Sequence, residues 1–281
     1  MEHFWDTIET IVEGYGFSLF GARHLVTLAL FVLTAVLCCR EYARADAERR
    51  AKMRRVFAIL LLLDEVFKQI GLQIGGNFDA SYLPLHLCSI NIFLIAVHAW
   101  RRSEVLDNFL YYICIPAATA ALLFPTWTSL PAMNFMFLHS TSVHILLAVY
   151  PMMLFAAGDI RPSAKGLGKS LLLLLVMAIP IYGVNLLLDT NYMFLMYAPD
   201  GNPLAWFQDR FGSHWVGFPV LLAAVGGLMY LPVLRRRKRE MAGSARSMKK
   251  DVAADLNSGP PRFFACFALT KGRDSATFKC K

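Results

Sequence analysis

The chain has 281 residues, 57% of them hydrophobic and 17% charged, with a mean hydropathy of +0.47. That balance excludes an ordinary soluble domain and points to a membrane protein. The net charge of +8 does not point to nucleic acid, because the basic residues sit beside apolar runs, where they read as headgroup anchors.

Residues 1–21 carry Glu2, Asp6, Glu9 and Glu13, with neither Lys nor Arg, so they lack the basic start of a cleaved signal peptide. Trp5, Ile8, Ile11, Val12 and Tyr15 recur at helical spacing, which predicts a short amphipathic helix lying on the external surface. Seven apolar runs follow, at 22–40, 54–75, 82–100, 106–124, 135–157, 168–188 and 214–234. Each approaches the roughly 20 residues that a helix needs to cross about 30 Å of hydrocarbon. Lipid offers the backbone no partners, so each span must bond internally as a helix. Runs this long do not fit the ten-residue alternation of a membrane barrel.

The breaks between runs give an orientation. Segments 40–55, 101–107, 158–169 and 235–250 hold twenty Lys and Arg, against Arg23 and Arg210 alone on the other side. By the positive-inside bias, the fold class is all-α: a polytopic membrane protein of seven transmembrane helices, N-outside and C-inside. Its expected organisation is an external N-terminal segment over 1–21, a transmembrane domain over 22–234 and a basic cytoplasmic tail over 235–281. The tail is polar and broken by Gly and Pro from residue 241 onward, which predicts disorder.

Ionisable groups inside membrane helices are costly and face the bundle interior, so they are functional candidates. The second run holds Asp64, Glu65, Lys68, Gln69 and Gln73. Asp64 and Lys68, four residues apart, read as a self-neutralising pair. Glu65 is then left as a possible proton or cation site. On that reading the chain is a non-enzymatic seven-helix receptor or an ion-coupled transporter built on the Asp64, Glu65 and Lys68 cluster. Seven spans without evident internal repeats fit the common transporter designs poorly.

A second group gathers by depth. Under the N-outside topology Cys88 and His139 lie one or two turns below the outer surface, and His144 lies about 7 Å deeper than His139. Asn185 and Asp189 close the outer end of the sixth span, and Gln73 and His214 lie at similar height. A thiol in apolar surroundings is a poor nucleophile until an imidazole takes its proton. Helical angles prune the pairings. His86 and Cys88, two residues apart, face opposite ways, whereas Asn91 shares the face of Cys88. His139 and His144 diverge by about 140°, so only one of them can point well toward the thiol. Pro84 fits the first turn of the third helix. The six cysteines show no C-x-x-C spacing, so no metal, cofactor or disulfide framework is expected.

The motifs carry a resemblance. "LPLHLCSINIFL" at 83–94 resembles the signature of the YwaF-like integral membrane proteins, and "GVNLLLDTNYMFLMYAP" at 183–199 resembles that family's Asn and "TNYMFL" segment. "AATAALLFPTW" at 117–127, "HSTSVHILLAVY" at 139–150 and "GDIRP" at 158–162 are similar to family stretches in the same order. "FGSHWVGFP" at 211–219 departs from the family's Gly-Pro-Trp-Pro-like run. The eukaryotic relatives look like transmembrane acyltransferases that use a cysteine of this motif and a later histidine to remodel phospholipids. The resemblance therefore implies Cys88 as nucleophile of a lipid acyltransferase or acyl-lipid hydrolase in a bacterial cytoplasmic membrane. It implies His144 as the base, with His139 second; depth alone favours His139. Asn91, Asn185 and Asp189 are the candidates to orient the histidine or hold the oxyanion. The implied partners are membrane phospholipids or other acyl donors; the oligomeric state is not implied.

Overall fold

The computed structural model describes residues 3–199 and 201–257, and among them every regular element is helical. The helices are α1 (Ala22–Arg44), α2 (Ala47–Ile74), α3 (Leu87–Trp100), α4 (Glu104–Phe109), α5 (Ile115–Leu123), α6 (Phe135–Ala157), α7 (Ala164–Leu188), α8 (Pro203–Phe211) and α9 (Gly217–Asn257). Among the described residues six segments are long and apolar enough to cross a membrane: Ala22–Arg44, Ala80–Trp100, Glu104–Leu123, Phe135–Ala157, Ala164–Leu188 and His214–Ala245. The seventh expected span lies in α2. That helix has 28 residues, but Asp64, Glu65 and Lys68 interrupt its apolar half.

The chain divides into two compact units, Met1–Leu231 and Pro232–Lys281. The second is the continuation of α9, helical to Asn257. Helix therefore replaces the disorder expected from residue 241. The stretch from 241 to 257 lacks proline and is rich in Ala, Met, Lys and Arg, which favour helix. The rest of the tail lies outside the described residues.

Within the first unit α6 is the central helix, packed against α1, α2 and α5. Its sequence is apolar nearly all round, as suits a helix enclosed by others. Leu147, Ala148, Val149 and Tyr150 are all fully buried. α7 is the contrary case: Leu172, Leu175, Val176, Ile179 and Leu187 are exposed and form a face suited to lipid. Between α4 and α5 the chain makes one π turn, Leu110–Cys114. Pro116 explains it, since its ring cannot sit against the carbonyl four residues back in a regular helix.

Residues 3–20 form turns, where the sequence periodicity predicted a helix. Their apolar side chains instead cap one end of the bundle. Phe4, Trp5, Ile11 and Phe17 pack on Leu72, Trp127, Leu130 and Phe135. Asn134 fixes this cap: its Oδ1 accepts from Met136 N at 2.8 Å and Phe137 N at 3.2 Å, while its Nδ2 donates to His3 O at 2.9 Å and Asp6 O at 2.8 Å. One side chain thus satisfies the start of α6 and anchors the preceding segment. Of the five residues at helical spacing only Trp5 and Ile11 pack here; Ile8, Val12 and Tyr15 are exposed.

The opposite end is closed by arginines. Asp159 Oδ1 accepts from Arg50 at 2.7 Å and its Oδ2 from the Tyr42 hydroxyl at 2.7 Å. Arg54 donates to the same hydroxyl at 2.8 Å. His98, fully buried, joins Asp107 at 2.7 Å and the Tyr150 hydroxyl at 2.8 Å. These bonds tie α1, α2, α3, α4 and α6 together. Asp159→Asn should remove about 2 kcal/mol, less than a fully enclosed pair because both partners keep some water. That lowers the unfolding midpoint in detergent by about 4–8 °C. Glu41→Gln should leave it unchanged, since the Arg49–Glu41 pair is 63% and 50% exposed.

Candidate functional site

The site begins with a late helix start. Leu83 precedes a proline and is held extended (φ −58°, ψ 150°). The chain stays non-helical through His86, which caps α3. Pro84 is thus not in the first helical turn; it lies on an extended strap before it. α3 has 14 residues and α6 has 23, lengths of about 21 and 35 Å. Cys88, the second residue of α3, meets His144, the tenth residue of α6, and not His139, the fifth. The depth argument for His139 rested on a span starting at 82.

His144 Nε2 lies 3.2 Å from Cys88 Sγ. Its Nδ1 lies 2.5 Å from Ser140 O. A carbonyl can only accept, so Nδ1 carries the proton and the Nε2 lone pair faces the thiol, which donates to it. Trp127 stacks on the imidazole with ring centroids 5.1 Å apart and planes 15° from parallel. The ring is held in plane by the indole and in rotation by the carbonyl. Both Cys88 and His144 are half-buried as residues.

His139 points elsewhere. Its Nδ1 lies 3.2 Å from Asp64 O and 3.4 Å from Asp64 Oδ1. Ser142 donates to Asp64 Oδ2 at 2.9 Å. Asp64 is therefore not the partner of Lys68, because its position on α2 faces α6. Lys68 pairs with Glu65 at 2.7 Å, and Gln69 Nε2 donates to the same Glu65 oxygen at 2.9 Å. The carboxylate that the sequence left unpaired has the lysine, and the one that seemed paired has the histidine.

Of the three proposed orienting residues, one stays with the thiol. Asn91 lies one turn beyond Cys88 on the same face, 1% exposed, and its Oδ1 has no hydrogen-bond partner among the described residues. Asn185 is consumed by the turn after α7: its Oδ1 accepts from Tyr192 N at 2.8 Å and Thr190 Oγ1 at 3.0 Å, and its Nδ2 donates to Tyr192 O at 3.0 Å. Asp189 is exposed and ends α7 in a left-handed conformation (φ 52°). Neither residue is brought to the thiol. His86 packs on Tyr192 and Phe194 at 5.3 and 5.8 Å between centroids, facing that turn and not Cys88.

Two elements of the site escape residue-type reasoning. One is the backbone at the start of α3. His86 gives no side-chain cap, so the N–H groups of Leu87, Cys88 and Ser89 have no helical acceptor. Donors at a helix N-terminus favour negative charge beside the sulfur. The other is the Ser140 carbonyl with the Trp127 ring, the latter from a loop 17 positions before His144. The proline at 84 was the available signal for the first; the second had none.

Residues 19–230 match the TMEM164 family, a transmembrane family. The chain belongs to that family. With six membrane-length helices, it is a multi-pass membrane protein. No curated protein and no solved structure matches it. The matched stretch contains Cys88, Asn91, Trp127, Ser140 and His144, and leaves out the cap and the tail. Among the described residues no group of His, Cys, Asp and Glu is arranged to hold a metal.

Of the two histidines, His144 lies within hydrogen-bond reach of the thiol and His139 is turned to Asp64. His144→Ala should slow alkylation of Cys88 by a small maleimide by about 10²-fold or more, whereas His139→Ala should leave the rate within about twofold. Mass spectrometry of the Cys88 peptide over time measures both.

Proposed function

We propose that this TMEM164-family protein is a membrane acyltransferase in which Cys88 is the nucleophile and His144 the base. The observation that carries the reading is the 3.2 Å contact between Sγ and an Nε2 whose other ring nitrogen is committed to Ser140 O. Pairing a thiol with an oriented imidazole is what nucleophilic acyl chemistry requires. The resemblance of "LPLHLC" and "TNYMFL" to YwaF-like proteins, whose eukaryotic relatives look like lipid acyltransferases, supports the same reading.

In the first step the Cys88 proton passes to His144 Nε2 as sulfur bonds to the acyl carbon of an ester or thioester. The carbon–oxygen or carbon–sulfur bond to the leaving group breaks, and that group takes the proton from His144. In the second step an acceptor hydroxyl gives its proton to His144 and bonds to the acyl carbon. The thioester bond breaks and sulfur recovers the proton. With water as acceptor the outcome is hydrolysis. The oxyanion of each step would face the free N–H groups at the start of α3, with the Asn91 amide beside them. Phospholipids are the substrate class that suits a site opening among membrane helices.

The topology proposed with it counts α2 as a seventh span and puts the capped end outside a bacterial cytoplasmic membrane. α2 can cross because its polar groups find partners in the bundle, Asp64 with Ser142 and beside His139, and Glu65 with Lys68. The same matching weakens the receptor or transporter reading, which needed an unpaired carboxylate.

Two measurements test this. In lipid nanodiscs with labelled acyl donor and lysophospholipid, Cys88→Ala should abolish both transfer and a hydroxylamine-sensitive acyl-protein, and Trp127→Ala should cut the rate about tenfold or more by freeing the imidazole. Equal transfer by Cys88→Ala and wild type would rule out the nucleophile. For the topology, an impermeant thiol reagent on intact cells should label a cysteine placed at exposed Glu13 and spare one at exposed Arg49, both in a cysteine-replaced background.

A further inference from the structure

Glu65 is 5% exposed, deep in the apolar half of α2. One of its oxygens is used twice: Oε1 accepts from Lys68 Nζ at 2.7 Å and from Gln69 Nε2 at 2.9 Å. The other, Oε2, is buried and has no hydrogen-bond partner among the described residues. The charge of Glu65 is therefore matched, and what it lacks is a donor. A buried carboxylate oxygen without one is costly, and native structures leave few of them.

Its neighbours connect it to the thiol. Gln69 Nε2 also donates to Tyr82 O at 3.1 Å, and Tyr82 ends the 3₁₀ turn Ala80–Tyr82 from which the non-helical residues 83–86 lead into α3. α2 packs along α3. Asn91, on the Cys88 face of α3, also has a buried oxygen with no hydrogen-bond partner among the described residues. Thus two buried acceptors without donors lie on α3, which carries the nucleophile, and on α2, which packs along it.

We propose that Glu65, with Lys68 and Gln69, is the subsite for the polar head of the acyl acceptor, and that Glu65 Oε2 receives an N–H or O–H from that head. The proposal rests on the Cys88–His144 reading and adds to it which acceptors the site takes. A head carrying an anionic oxygen and a hydrogen-bond donor meets both partners, the oxygen at the Lys68 ammonium and the donor at Glu65 Oε2. A quaternary ammonium has no N–H and leaves Oε2 bare. A site built to hydrogen-bond a substrate group discriminates strongly against an analogue lacking it. The acyl step is unchanged: the acceptor hydroxyl bonds to the acyl carbon, the carbon–sulfur bond breaks, and the proton returns through His144 to Cys88. Glu65 is a specificity residue and takes no part in that transfer.

The test uses the full chain in nanodiscs and separates the two half-reactions. The first is acyl-Cys88 formation from a labelled donor. The second is transfer to lysophosphatidylethanolamine, lysophosphatidylglycerol or lysophosphatidylcholine. Wild type should favour the first two acceptors by about tenfold or more in kcat/KM. The neutral pair Glu65→Gln with Lys68→Met should form acyl-Cys88 at the wild-type rate and lose the preference to within about twofold, through a higher KM for the donor-bearing heads. Should that pair fail to accumulate, Glu65→Gln alone, which keeps an oxygen for Lys68, gives the same comparison. Equal use of all three acceptors by wild type would overturn the proposal, as would a preference that survives in the variants. Absence of acyl-Cys88 in wild type would instead overturn the Cys88–His144 reading beneath it.

Discussion

Inside a membrane bundle no bulk water is available to satisfy a polar group, so each buried donor or acceptor must be met by another part of the chain. Most of this structure follows from that constraint. Asn134 meets it at the start of α6 by serving two amides and two carbonyls at once. Asn185 meets it at the end of α7 with its whole amide. At the arginine-rich end Asp159 collects Arg50 and Tyr42, and His98 joins Asp107 to Tyr150. The places where it is not met therefore stand out. Among the described residues they include the first N–H groups and the Asn91 oxygen of α3, which carries Cys88, and one oxygen of Glu65 on α2, which packs along it; Thr119, Ser129 and Thr141 hold others elsewhere in the bundle.

The same constraint shows why the thiol and the imidazole come from different helices. Residues two apart on one helix face opposite ways, and His86 spends its ring on Tyr192 and Phe194. The partner had to come from α6, the most enclosed helix and the one least able to move. His144 then has its tautomer set within its own helix, by the carbonyl one turn back. The pair is preorganised by elements that already hold the fold together, with Trp127 as the one added restraint.

Much of this was legible in the sequence, for identifiable reasons. Apolar runs of membrane length and the spacing of polar residues within them are strong periodic patterns, and they locate α1, α6 and α7 to within a few residues at most ends. The opposed directions of His86 and Cys88, and of His139 and His144, follow from helical angle alone. The charge pairing in α2 did not follow, because Asp64–Lys68 and Glu65–Lys68 are both feasible on one helix. The choice was made by His139 and Ser142 on α6, which periodicity within α2 cannot register. The cap over residues 3–20 misled in the opposite way: of the apolar residues at helical spacing, packing takes up Trp5 and Ile11 and leaves Ile8, Val12 and Tyr15 exposed, and no helix forms. Asn185 looked like an oxyanion donor by residue type and depth, and only the turn at Thr190–Tyr192 reveals that its amide is spent.

Pro84 shows best where local rules stop. Read alone, a proline near the start of an apolar run marks the first turn of a helix, and that placement puts Cys88 at the height of His139. The rule for the residue before a proline points the other way, holding Leu83 extended and delaying the helix to Leu87. Both rules are sound, and the second wins because Leu83 and Leu85 of the strap, with Ile90 of α3, pack their apolar side chains against Ile181, Tyr192 and Leu195. The delay shortens α3, sets the thiol of its second residue against His144 and leaves the uncapped end of the helix beside the sulfur. A single choice between helix and extended chain thus settles which histidine the cysteine meets.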